Sequence, residues 1–114
     1  MIDAYTFGRI VIDKKEYTRD VIIYPKRVDS SWRRKTGHEL TPEDIQEILK
    51  LKPETLVVGL GHDGCLEILP ETKRVLTEHG IQLRAVRTNE ACFLYNELAK
   101  AGKRIVVAIL HLTC

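Results

Sequence analysis

Two His-x-x-Cys pairs, His62 with Cys65 and His111 with Cys114, are the residues of this sequence best suited to chemistry. Two imidazoles and two thiolates make a tetrahedral zinc shell when they converge. Neither pair has the spacing of a zinc finger, and loops seldom converge unaided, so no metal is expected. An imidazole within hydrogen-bonding reach lowers a thiol's pKa, so His111 and Cys114 alone could form a base and a nucleophile. No third residue that would orient the histidine is evident, and Cys114 stands at the last position, where fraying is ordinary. A packed tail with no catalytic role stays open beside the thiol reading, and no catalytic residue is assigned.

The segment Gly59-Leu60-Gly61-His62-Asp63-Gly64 matches the glycine fingerprint of dinucleotide binding. That chemistry needs a helix to begin inside the motif, so that its amino end meets the pyrophosphate. Here Cys65 to Leu69 intervene before Pro70 marks a helix start, and Arg84 and Arg87 stand where a ribose-binding acid belongs. No cofactor is expected. The glycines then serve a tight exit turn, or a small-anion pocket in which Gly59, Gly61, Arg87, Thr88, Asn89, His111 and Cys114 hold a phosphate or carboxylate.

A second candidate is charged. Lys14 to His38 carries eight Lys or Arg against three acids, a net +5 in a chain of formal charge +2. Trp32, Arg33, Arg34 and His38 combine cations with an aromatic, the chemistry of interface anchors and of base stacking. A solvated loop, a protein-binding surface and a nucleic-acid surface all fit, the last least well, because the overall charge is too small to imply a polyanion partner. No paired carboxylates, serine elbow or nucleotide P-loop occurs.

The elements that must position these residues follow from pattern. Tyr5–Ile12 and Tyr17–Tyr24, rich in aromatic and β-branched residues and separated by Asp13-Lys14-Lys15-Glu16, predict a β-hairpin closed by Pro25. Residues 26–40 read as a loop. Thr41-Pro42-Glu43-Asp44 caps a helix whose apolar stripe is Ile45, Ile48 and Leu49 and which Pro53 stops. The apolar run 55–59 predicts a strand covered on both faces. Pro70 to Gly80 predicts a second helix, 81–86 a strand, Thr88 to about Lys100 a third helix with Phe93, Leu94 and Leu98 available to the core, and 104–110 the last strand. Such alternation predicts a parallel βαβαβ unit over residues 55–110, with the first strand in the middle. Its ligand edge would be the carboxyl ends of the strands, at 59–65, 87–90 and 111–114.

The fold class expected is therefore α/β, in three layers, with a mixed central sheet and an amino-terminal β-hairpin, as one domain over 1–114. At 44% hydrophobic and 30% charged the chain is no disordered polymer, and no apolar run reaches the roughly 18 residues of a membrane span. Three widely spaced cysteines suggest free thiols and a cytoplasmic setting rather than a disulfide framework. Four side-chain amides beside many Lys, Arg and Glu suggest a heat-adapted source.

The chain also resembles a known family. The match runs through Tyr5 to Val11, Val21 to Pro25, Trp32 to His38, Leu56 to Gly61, Pro70, and His79-Gly80-Ile81. It continues through Thr88, Ala91, Tyr95-Asn96, Gly102-Lys103-Arg104-Ile105 and the closing His111-Leu112-Thr113-Cys114. It is the small domain first seen as an archaeal hypothetical protein, shared with a vertebrate cytosolic protein associated with adipogenesis and, more distantly, with a mitochondrial complex I assembly factor. The resemblance implies a three-layer α/β domain with no assigned activity and roles in assembly or in contact with other proteins. Its pattern holds Gly59, Gly61, His111, Thr113 and Cys114, but not reliably His62, Gly64 or Cys65, which counts against the zinc and dinucleotide readings. The expectation is a non-enzymatic protein-interaction or assembly module with an unidentified protein partner, no membrane and an open oligomeric state. The alternative is a small-anion-binding or Cys/His thiol enzyme at the strand ends.

Overall fold

Short strands and tight reversals organise the amino-terminal residues of the computed structural model, which describes residues 1–102 and 105–114. Ile2–Thr6 (β1), Arg9–Ile12 (β2) and Lys15–Tyr17 (β3) form an antiparallel sheet in that order. Asp13 and Lys14 make the second reversal at φ 50° and 69°. Two successive left-handed residues give a turn whose twist suits a hairpin. The amino-terminal hairpin is thus present, with boundaries other than those expected. Residues 5–12 are interrupted at Phe7-Gly8, and residues 17–24 are broken at Thr18-Arg19-Asp20, after which Val21–Ile23 (β4) enters a different sheet. The break has a physical cause: the Asp20 carboxylate leaves the strand to meet donors described below.

Two short strands, Val28–Asp29 (β5) and Glu39–Leu40 (β6), lie where a loop was expected. Thr41 then opens a 3₁₀ turn, Pro42–Ile45, that runs into Gln46–Leu51 (α1). The Asp44 carboxylate accepts hydrogen bonds from the Thr41 amide (2.8 Å) and hydroxyl (2.9 Å). Lys52, left-handed at φ 53°, ends the helix before Pro53.

From there the chain alternates as predicted. Thr55–Gly59 (β7), Glu67–Ile68 (β8), Pro70–Glu78 (α2), Gln82–Val86 (β9), Thr88–Ala101 (α3) and Val106–Leu110 (β10) follow in order. The start expected for the last strand, Arg104, lies outside the described residues. The central sheet has the order β5-β4-β10-β7-β9, with β7 parallel to both β10 and β9 and β4 antiparallel to β10. Leu110 pairs with Gly59, and Gly59 with Val86, so the three parallel strands end level.

Alternation along the strands builds two cores. Leu56, Val58, Val107 and Ile109 face one side, beneath Ile45, Ile48 and Leu76 of the two short helical layers. Val57, Ala108 and Leu110 face the other, beneath α3 and the amino-terminal sheet through Ala91, Tyr95, Ile10 and Ile12. On α3 the inward stripe is Thr88, Ala91, Cys92 and Tyr95, at i, i+3, i+4 and i+7. Phe93 lies off that stripe and is 69% exposed, against the expectation that it joins the core. No described helix is long and apolar enough to cross a membrane.

Candidate functional site

The level strand ends bring the first candidate set to one rim, where the chain fills the crevice itself. The Gly61 amide donates to Thr88 Oγ1 (2.9 Å), and that hydroxyl donates to the His111 carbonyl (2.6 Å). The Thr88 amide donates to the Gly61 carbonyl at 3.2 Å, the His62 amide to Thr113 at 2.7 Å, and the Cys65 amide to Cys114 at 2.9 Å. An anion pocket would need those same amides, and protein oxygens already hold them. Gly61 sits at φ +107°, and a Cβ built on it would stand 2.4 Å from the Cys114 carbonyl carbon. Only glycine lets the tail lie there. Arg87 and Asn89 are exposed at the margin; α2, the helix that follows the glycine loop, begins only at Pro70, behind β8, and the helix start that meets the loop is that of α3, whose Thr88 amide is already held by Gly61.

The His and Cys residues separate into different neighbourhoods. The His111 ring bonds Asp20, the exposed His62 ring meets Phe7 edge-on at 5.8 Å, and Cys65 meets Cys114 through its backbone amide. Cys65 is exposed. Among the described residues no three His, Cys, Asp or Glu side chains group as a metal site would require.

The second candidate set leads to a built cluster. Asp20 Oδ2 lies 2.7 Å from His111 Nδ1 and 2.5 Å from Arg34 Nη1, while Oδ1 accepts the Leu112 amide at 2.9 Å. Arg34 Nη2 also donates to the Gly37 carbonyl (2.8 Å), which ties the loop onto the cluster. Exposure of the three side chains is only 9% for Arg34, 18% for Asp20 and 7% for His111. Burial alone would raise the Asp20 pKa. The hydrogen bonds from His111, Arg34 and the Leu112 amide outweigh it and hold the carboxyl down at about 2. Asp20 is therefore a carboxylate throughout the physiological range, and its charge fixes both basic partners.

A cleft of about 450 Å³ opens beside this cluster, lined by Arg19, Asp20, Ser30 to Arg34, Thr36 and Gly37. Trp32 is half-buried against the first core, its Nε1 donating to the Asp44 carbonyl at 3.0 Å, with the Arg34 guanidinium 5.5 Å from its ring centroid. Arg33 and His38 are exposed, and His38 does not line the cleft. Arg19 and Arg33 are exposed, and among the described residues neither has a carboxylate within ion-pair reach. The cleft's hydroxyls, Ser30, Ser31 and Thr36, have no histidine among the lining residues to activate them.

Arg19 and Asp20 were absent from the candidates drawn from sequence. Their signal was a charged pair inside an otherwise β-rich run, which a continuous strand would have to place against an apolar core.

Comparison with known proteins gives a consistent result. The family described as protein of unknown function (DUF498/DUF598) matches residues 2–111. A conserved hypothetical protein from Pyrococcus horikoshii OT3 is 35% identical, with a TM-score of 0.86 over 100% of this chain and 99% of its own. The protein MT938 is 30% identical, with a TM-score of 0.84 over 100% and 98%. A protein from Bartonella henselae, described as an outer membrane protein, is 27% identical, with a TM-score of 0.84 over 99% and 94%.

Proposed function

The chain belongs to the DUF498/DUF598 family of proteins of unknown function, and on that premise we propose that it is a non-enzymatic protein-interaction module whose basic cleft grips an acidic segment of a partner. The observation that carries this reading is the pair of exposed guanidinium groups, Arg19 and Arg33, that line one concave surface and have no carboxylate within ion-pair reach among the described residues. Guanidinium forks match carboxylates in two-pronged geometry and are common anchors of interfaces. The wall behind them is held in place before any partner arrives, because Arg34 is fixed by Asp20 and Gly37 and Trp32 by Asp44. A preorganised wall lowers the ordering cost of association.

The resemblance to the vertebrate cytosolic protein and the mitochondrial assembly factor, proposed as kinship, supports the same reading, since it implies work on protein partners. A cytoplasmic, heat-adapted and archaeal setting is proposed alongside, supported by the free cysteines and the four side-chain amides.

Fluorescence anisotropy with a labelled Glu- and Asp-rich peptide tests the proposal. Binding is expected to weaken as salt rises and to fall at least roughly tenfold in the double variant Arg19→Glu/Arg33→Glu, with circular dichroism unchanged. Equal affinity in that variant defeats the proposal. Tighter, sequence-selective binding of an RNA oligonucleotide would replace the protein partner by a nucleic acid.

A further inference from the structure

We propose that Cys65 and Cys114 form a redox-modification site, a dithiol that a small disulfide such as glutathione disulfide converts into an internal disulfide bond. The two residues are held together through the backbone. The Cys65 amide donates to the Cys114 carbonyl at 2.9 Å, and the Cys114 side chain acts electrostatically on the Cys65 thiol. Residues joined by a direct backbone hydrogen bond have Cα spacings like those disulfides require, roughly 4.4–6.8 Å.

The flanks hold the pair in register. The His62 amide bonds the Thr113 carbonyl at 2.7 Å, and Gly61 packs directly on the Cys114 backbone. Cys65 is exposed and Cys114 half-buried, so a tripeptide oxidant can reach the site. Cys92 provides a contrast: it is buried on the inward face of α3, and burial pushes its thiol up to about 12. Local desolvation, the neighbouring Cys114 side chain and the nearby Asp63 carboxylate push the Cys65 thiol up as well.

The reaction balances as two exchanges. The Cys114 thiolate attacks one sulfur of glutathione disulfide and breaks its S–S bond; the departing glutathione thiolate takes up the proton that Cys114 lost. Cys65 then gives up its proton, attacks the Cys114 sulfur of the mixed disulfide and releases a second glutathione, which takes that proton. Two protein thiols are oxidised, and one disulfide is reduced to two thiols. The product strap would tie the loop after β7 to residues 113–114 and hold the rim shut.

The test incubates the purified chain in glutathione buffers of graded redox ratio, quenches with acid, and maps peptides by mass spectrometry. The expected product has lost two hydrogens, links the Cys65 peptide to the Cys114 peptide, leaves Cys92 free, and melts higher than the reduced form by roughly 5–15 °C. Cys65→Ser and Cys114→Ser are each expected to carry one glutathione instead. Glutathione retained on the wild-type chain without an internal link, or a disulfide-linked dimer as the main product, would overturn the assignment.

Discussion

The strand-end rim and the basic cleft meet at one residue, His111, and are built by opposite means. The His111 backbone belongs to the rim: its amide donates to Gly59 at 3.1 Å and its carbonyl accepts from Thr88 at 2.6 Å. Its ring belongs to the cluster under the cleft, 2.7 Å from Asp20. At the rim, amides and carbonyls satisfy one another and the crevice is full. At the cleft, side-chain charges are fixed from behind and two more are left facing solvent. Open α/β sheets place ligands where crossovers diverge, but an edge offers a site only when its donors are free. The donors here are free one loop away.

The contrast predicts where substitutions destabilise and where they only weaken binding. The largest expected effect is Gly61→Ala at the rim. Its new Cβ would meet Cys114 and Thr113 backbone atoms at 2.4–2.8 Å with φ at +107°, so a loss of about 3 kcal/mol or more is expected in urea unfolding. Near wild-type stability would mean that the tail does not occupy the crevice in solution. Asp20→Ala comes next. It leaves Arg34 and His111 buried without their shared carboxylate and should lose about 2–4 kcal/mol, read by the same method. Thr88→Val keeps the shape but strands the Gly61 amide and the His111 carbonyl, for about 1–3 kcal/mol.

A smaller effect separates the regions by pH. The Asp20 carboxyl titrates at about 2 in the folded chain against its ordinary 3.8. A depressed folded pKa stabilises the protein above the unfolded value, and that contribution fades as pH falls from about 4 towards 2. Allowing for solvent screening at a partly exposed group, roughly 1–2 kcal/mol should disappear over that interval in the wild type and not in Asp20→Asn. The smallest effect is Arg33→Glu, which should shift stability by less than about 0.5 kcal/mol, because the side chain is exposed. A large shift there would make Arg33 a structural residue and remove it from the cleft's open charge.

How much of this was legible in sequence follows from which forces repeat along the chain. The buried runs of β7 and β10 and the alternation of strand with helix repeat along the chain, so the parallel unit, its strand order and the gathering of residues near 60, 88 and 111 could be read directly, whereas the inward face of α3, built on small and polar residues rather than on Phe93, could not. The filling of that edge could not, since it depends on which partner each amide finds. Gly61 was the clue, as a position where the chain needs a left-handed turn against another backbone. The cleft was half legible. Trp32, Arg33 and Arg34 stood out by type, but the order of their loop comes from two distant acids. Asp44 accepts the Lys35 amide through its side chain (2.8 Å) and the Trp32 ring N–H through its carbonyl (3.0 Å), while Asp20 holds Arg34. Single long-range bonds of this kind leave no period to read. Asp20 itself was hidden inside a run that resembled one strand.

The most direct test is an amide-resolved NMR titration of the whole chain with the acidic peptide. Shifts confined to Arg19, Asp20 and residues 30–37 are expected, with the side-chain signals of Arg19 and Arg33 moving most. Shifts centred instead on residues 59–65, 88–89 and 113–114 would contradict this reading.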